Sequence, residues 1–272
     1  MIDRVYIAPK SDEIEAGIAY ARQQNCSYEI PTFMYPWVLD KRQEEIARYQ
    51  QLLEGFQGSL GMHGPVFDVN PVSLDGHLKQ ASRDRYVQAI ECALALNCRL
   101  LVFHSQYTPV YQVANVMQQW EDGLVDFWSE LIESYVEDTR LTVVIENFMD
   151  DRPDYVYNLL ERVNSPHLKA CLDVGHVNLF SAVPPIDWLD ALGSNLVYIH
   201  AHNNHGKFDE HRPFHRGTID MEGFLNHLIL VRHKVSLAVE VYDMEGVVES
   251  YQSLQPMMQM QEEQVAVKSF LI

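Results

Sequence analysis

The chain has 272 residues, 47% of them apolar and 21% charged, which excludes a mainly disordered polymer and fits one domain with a large core. Twenty Lys and Arg face 38 Asp and Glu, a formal net charge of −18. That balance argues against nucleic acid as a partner, because a duplex binder needs a basic face to neutralise phosphates. From the first residue onward, short apolar runs alternate with longer segments of helical period. A run at 5–8 precedes a helix at 13–24, a run at 27–30 precedes one at 41–53, and a run at 59–62 precedes one at 83–96. The fourth run, 100–103, leads into the clearest helix, 113–138, where Val116, Trp120, Leu124, Phe127, Leu131 and Tyr135 step by three or four along one face. Runs at 141–145, 170–172, 196–199 and 237–239 follow, alternating with helices at 153–163, 186–192, 221–231 and 246–258.

Most of these runs are rich in Val, Ile and Leu without clear alternation, as strands buried on both faces of a parallel sheet are. Eight strands alternating with helices predict a closed (β/α)₈ TIM barrel or a doubly wound sheet. A barrel typically needs roughly 250 residues. The first strand is not followed by a Gly-rich phosphate loop, which weakens the doubly wound alternative. The expected division is one barrel domain over 1–258 and a tail over 259–272.

Six consecutive predicted strands, the third to the eighth, end in a residue able to bind metal: His63, His104, Glu146, Asp173 with His176, His200, and Glu240. In α/β barrels the carboxyl ends of the strands form the active-site mouth. Each of these groups directly follows an apolar run, where burying an unpaired charge costs on the order of several kcal/mol. A metal or a dense hydrogen-bond network must compensate. Histidine nitrogen with carboxylate oxygen and no thiolate suits Zn, Mn, Fe or Co. Glu146 and Glu240 can each also serve as acid or base.

The motifs HGP, IEN, CLDVGH, IHAHNN, DEHRPFHRGTID and VEVYD span about 62–242. Through them the chain resembles the xylose isomerase-like barrel superfamily of sugar isomerases, sugar 3-epimerases, inosose-type dehydratases and endonuclease IV. In the isomerase and epimerase branches the resemblance implies a metal held by Glu146, Asp173, His200 and Glu240. The two glutamates would move protons at the substrate carbon, and His176 would contact substrate. In the endonuclease IV branch it implies a three-zinc cluster that adds His63, His104, His176, Asp209 and His211. Two departures stand out. Phe214, His215, Arg216 and Gly217 replace a commonly glycine-rich stretch, and Asn203 stands where an aspartate is frequent.

Three functions follow as expectations. The first is a metal-dependent isomerase or epimerase of a small sugar or polyol, phosphorylated or not, working through an enediolate with one to three divalent ions. The second is an endonuclease IV-like zinc phosphodiesterase, and the third a non-catalytic metal-binding barrel. Arg212 and Arg216 are candidate contacts for a substrate phosphate. Trp37, Phe67 and Tyr107 follow early strands and are candidates for the pocket wall or for rim and core packing. His202 and His205 read as solvent-facing or supporting residues, and His77, His167, His227 and His233 as surface. Cys26, Cys92, Cys98 and Cys171 form no CxxC pair and read as buried reduced thiols. The start MIDRVYIAPK has no signal-peptide pattern, and no apolar run approaches ~20 residues, so a cytoplasmic protein without a membrane span is expected. A homo-oligomer is compatible with the sequence, which does not fix the oligomeric state.

Overall fold

The computed structural model describes residues 1–230 and 234–269, with side chains described as far as 259. Eight parallel strands close into a barrel in the order β1 to β8, with β8 pairing back onto β1. They are β1 (Ile2–Ile7), β2 (Ser27–Ile30), β3 (Leu60–His63), β4 (Leu100–His104), β5 (Thr142–Glu146), β6 (Leu168–Asp173), β7 (Leu196–Ala201) and β8 (Val235–Val239). The closed (β/α)₈ fold expected from the alternation is the fold found.

Side-chain parity divides each strand between two cores, because successive residues of a strand point to opposite faces. Outward residues such as Val5, Ile7, Leu101, Phe103, Val143 and Ile145 pack against the helices. Inward residues form a smaller core of Tyr6, Ala8, Leu100, Val102, Val144, Cys171, Tyr198 and Ala238. Two residues further along the same parity, the strands reach His104, Glu146, Asp173, His200 and Glu240. The barrel therefore fills its lower interior with apolar side chains and ends its upper layer in ionisable ones. Register sets neighbours across the strands: His104 lies beside Glu146, and Asp173 beside His200.

The helices are α1 (Ile14–Gln23), α2 (Arg42–Leu52), α3 (Gly76–Ala95), α4 (Val110–Val113), α5 (Met117–Tyr135), α6 (Asp154–Val163), α7 (Val174–Phe180), α8 (Pro185–Leu192), α9 (Met221–Leu230) and α10 (Met244–Ser269). Several differ from expectation, two of them for identifiable reasons. Helix α3 begins seven residues early, because the Asp75 carboxylate caps it by accepting from the His77 and Leu78 backbone N–H groups. The single helix expected over 113–138 is two, α4 and α5, broken where Asn115 adopts φ 53°. Helix α10 starts before the expected 246 and runs on past 258 with Pro256 inside it.

All four cysteines are free and buried. His77 is exposed, His167 and His227 are half-buried, and His233 lies outside the described residues. Among the described residues, no helix is long and apolar enough to cross a membrane.

Candidate metal centre at the barrel mouth

The ionisable layer gathers at the carboxyl ends of the strands. His63 Nε2 lies 3.2 Å from Glu146 Oε2, and His104 Nε2 lies 3.6 Å from the same oxygen. His200 Nδ1 is 3.0 Å from Glu240 Oε2, 3.5 Å from Glu146 Oε1 and 4.0 Å from Asp173 Oδ2. His176 Nε2 and His211 Nε2 face Asp209 Oδ2 at 3.4 and 3.0 Å. All nine residues expected from the sequence are thus brought to one end of the barrel.

Hydrogen bonds outside the layer fix which nitrogen faces in. His63 Nδ1–H donates to Gly64 O, His176 Nδ1–H to Asn147 O, and His211 Nδ1–H to Glu240 O, at 2.9, 2.9 and 3.1 Å. Each ring therefore turns its Nε2 inward, toward the Glu146 or Asp209 carboxylate. His200 does the reverse: Nε2–H donates to the Glu29 carboxylate at 3.1 Å, leaving Nδ1 to face inward. A ring tied by one nitrogen to a carbonyl or carboxylate, with the other free, is the arrangement of a metal-binding histidine.

The donor set fits a cation on a further observation. His200 Nδ1, Glu240 Oε2, Asp209 Oδ1 and His202 Nδ1 are buried without a hydrogen-bond partner. Buried polar atoms almost always have one. Three of these four, the exception being His202, belong to residues expected as ligands. Ligand atoms within 4.8 Å of one another form overlapping triples: His63–Glu146–His200, Glu146–Asp173–His176, Asp173–His200–Glu240, His176–Asp209–His211 and His202–His211–Glu240. Glu146, Asp173, His200 and Glu240 thus form linked triples rather than one separate group. His104 belongs to none of the triples.

The charges explain the titration. Burial pushes the Glu146 carboxyl up, but His200 and His104 outweigh it and hold it well below the usual range. Burial likewise lowers His176, but Asp173, Asp209 and Glu146 raise it well above an ordinary imidazole. His104 goes the other way: burial prevails over Glu146, and its imidazole is lowered to about 3. In the structure the surplus negative charge is balanced by protons on histidine, a role that bound cations can also fill.

Two residues of this site, Glu29 and Asp150, have roles the sequence reading did not assign, and His202 takes the supporting one of its two expected roles. Glu29, in the middle of β2, is buried and accepts from both Tyr198 Oη (2.6 Å) and His200 Nε2 (3.1 Å) on one oxygen. Its signal was present, since it shares the inward parity of Ser27 within a four-residue strand. His202 is fully buried, which corrects the solvent-facing alternative, and its Nε2 meets Asp173 Oδ1 at 3.1 Å. A Cβ on Gly175 would fall 1.9 Å from the His202 ring, so glycine there makes room for this imidazole. Asp150, buried in the loop that follows β5, has Oδ2 accepting from Ser105 Oγ (2.6 Å) and from the Phe148 backbone N–H (2.9 Å).

Burial raises the Asp150 carboxyl to about 6 against these two hydrogen bonds. A carboxyl raised on folding costs nothing below its unfolded value of 3.8, and the cost grows up to the folded value and then levels off. Asp150→Asn removes that titration. Its stability relative to wild type should rise by about 2 kcal/mol between pH 4.5 and pH 7.5. Urea denaturation at the two pH values measures this, and an unchanged difference would refute the assignment.

Above the metal-type layer sits a cavity of about 240 Å³, lined among others by Glu146, His176, Glu240, Lys10, Phe67 and Tyr242. Lys10 is the one Lys or Arg in its lining and lies 5.7 Å over the Tyr242 ring. Phe67 is in the wall, stacked on Tyr35, while Trp37 packs on Tyr35 at the rim and stays 62% exposed. The expected anion contacts are not in this cavity: Arg212 pairs with Glu210 and Arg216 with Glu249, at 2.7 and 2.9 Å on the surface. His205 is exposed and pairs with Glu210.

Comparison with known proteins agrees with this architecture. The family described as Xylose isomerase-like TIM barrel matches residues 27–264. The chain is 25% identical over 234 residues to the uncharacterized protein MJ1311 of Methanocaldococcus jannaschii, covering 83% of this chain and 78% of that one. A D-tagatose 3-epimerase-like protein superposes with a TM-score of 0.79 at 22% identity, covering 96% of this chain and 99% of that one. The TTHB071 protein from Thermus thermophilus, in crystals soaked with ZnCl2, gives a TM-score of 0.73 at 21% identity, with 93% and 98% covered.

Proposed function

The chain belongs to the xylose isomerase-like TIM barrel family, and from that premise we propose that it is a metal-dependent isomerase or epimerase of a sugar or polyol. One observation carries this reading: Glu146 and Glu240 line the same cavity from strand ends three apart around the barrel. Storage of an ion needs no such pair, whereas moving a proton at a substrate carbon needs a base and an acid within reach of it. The likeness in fold to an epimerase-like protein supports the same reading.

Glu146, Asp173, His200 and Glu240 would hold the ion, with Zn, Mn, Fe or Co matching their nitrogen and oxygen donors. When bound, such an ion stabilises negative charge on a substrate oxygen. The chain's own groups do the rest. Glu240, the more accessible carboxylate, would take the proton from the carbon beside the carbonyl, and Glu146 would hold or return one on the other side. His176, fixed by Asn147, would face a substrate oxygen, while Phe67, Phe148 and Tyr242 would keep water from the exchanging proton. The second nitrogen- and carboxylate-rich triple, His176–Asp209–His211, favours one rival, a three-zinc phosphodiesterase. Its charge requirement is poorly met, because Lys10 is the one Lys or Arg among the residues lining the cavity.

The test is incubation of the metal-loaded protein with free ketoses and aldoses in D2O, followed by NMR. Deuterium entering at the carbon next to the carbonyl is expected, and no exchange with any sugar would remove the proposal. A metal count separates the rival. After dialysis, elemental analysis should find one tightly held ion per chain, and three retained ions with cleavage of abasic DNA would move the function to the phosphodiesterase.

A further inference from the structure

The cavity over Glu146 and Glu240 has a neighbour on its His104 side. A second cavity of about 260 Å³ opens beside it, sharing His104, Val66 and Phe148 as a common wall. Its far side carries Asn70, Gln106, Thr108 and Tyr111. Either lobe alone falls below the roughly 300–1,000 Å³ of ordinary ligand pockets, and their volumes taken together fall within that range.

The chemistry of the two lobes differs. The first holds carboxylates, imidazoles and Lys10. The second has neutral amides and hydroxyls set among Tyr107, Tyr111 and Phe148, and neither Asp, Glu, Lys nor Arg is among its lining residues. Aromatic faces with a few placed neutral donors and acceptors suit a hydroxyl-rich, uncharged ring, which has apolar faces and polar edges. Asn70 Nδ2 donates to Tyr111 Oη at 2.8 Å, leaving the phenol's own proton to point elsewhere. Tyr111 is in turn held by stacking on Trp120 at 5.7 Å. Gln106 sits at φ 62°, a conformation rare for a residue with a side chain, and such strain concentrates at ligand sites.

We propose that this second lobe is a subsite for a second, uncharged sugar unit, so that the substrate is a reducing disaccharide whose reducing unit, the one with a free carbonyl, sits over Glu146 and Glu240. The proposal rests on the sugar reading above and narrows its substrate class. The Phe148 ring, stacked on His104 at 4.9 Å, stands at the junction and would lie against the linkage between the two units.

Saturation-transfer NMR and calorimetric titration test this with glucosyl disaccharides of each linkage and with their component monosaccharides. At least one disaccharide should bind tenfold or more tightly than either of its halves, with saturation reaching protons of both rings. Thr108→Val and Tyr111→Phe, which remove one hydroxyl each, should cut that disaccharide-to-monosaccharide ratio at least threefold. The proposal is overturned if no disaccharide binds better than its components, or if only one ring is saturated. Deuterium exchange in the same samples keeps the two readings apart. Two-ring binding without exchange removes the epimerase and leaves the subsite, and exchange on monosaccharides without a disaccharide advantage does the opposite.

Discussion

Replacing Glu240 by Gln should lower solvent exchange into the substrate carbon by roughly 10²–10⁴-fold, the usual contribution of a positioned acid or base, while part of the metal binding survives. The asymmetry comes from the surroundings of the two carboxylates. The Glu146 side chain is 1% exposed and meets His63, His104, His176 and His200 within 3.6 Å, so it holds the whole layer together. The Glu240 side chain is 18% exposed and faces the cavity, touching His200 Nδ1 at 3.0 Å and His211 Nδ1 at 3.8 Å. Gln at 240 keeps shape and one acceptor oxygen but cannot take a proton. Asp173, His200 and Glu146 remain as donors, so the ion should still bind, more weakly. Glu146→Gln should fail differently, losing metal and exchange together. The pair of readouts, metal per chain and deuterium per substrate, distinguishes the two variants. Exchange at the wild-type rate in Glu240→Gln would sink the proton-transfer role.

Much of this site was legible because barrels convert a one-dimensional pattern into a ring. An apolar strand that ends in His, Asp or Glu delivers that residue to the mouth whatever the loop beyond it does. His63, His104, Glu146, Asp173, His200 and Glu240 were found this way, and Asp209 and His211 through the family motif. The interior of a strand gave less away. Glu29 is a polar residue inside the four-residue β2, and only closure of the barrel places it under His200. His202 shares the inward parity of Tyr198 and His200, but it lies just past the end of β7, where parity is not guaranteed. Local backbone chemistry accounts for the helix errors: α3 opens on an Asp75 cap ahead of any apolar periodicity, and the left-handed Asn115 splits a run whose side-chain pattern continues. Arg212 and Arg216 show the opposite failure. Their charge was visible in the motif, but the partners that hold them at the surface, Glu210 and Glu249, could be assigned only in three dimensions.

Glu29 also carries the second large effect. Glu29→Gln should weaken metal binding about 10–100-fold, the usual cost of losing a supporting partner of a ligating histidine. The carboxylate receives two donors on one oxygen, Tyr198 Oη and His200 Nε2, at the bottom of the charged layer. Burial raises its carboxyl, but the His200 imidazole outweighs that and holds it below the ordinary range, so it is an anion in the folded protein. That anion fixes the His200 proton on Nε2 and makes Nδ1 a stronger donor toward the site. Gln keeps an acceptor but not the charge, so the ring orientation survives in part while its basicity falls. Glu29→Leu removes the acceptor as well. Two buried donors, the Tyr198 hydroxyl and His200 Nε2–H, are then left unsatisfied at about 1–3 kcal/mol each, so the apo protein should lose about 2–6 kcal/mol of stability. Tyr198→Phe is the control, since it deletes one donor and leaves the Glu29–His200 contact intact. Competitive titration against a chelator should rank the variants as wild type, Tyr198→Phe, Glu29→Gln and Glu29→Leu in order of falling affinity. Chemical denaturation of the metal-free proteins supplies the stability arm. Should Glu29→Leu bind metal as tightly as wild type, His200 is not a ligand oriented from below, and the ion must be held from the Asp209 side of the mouth.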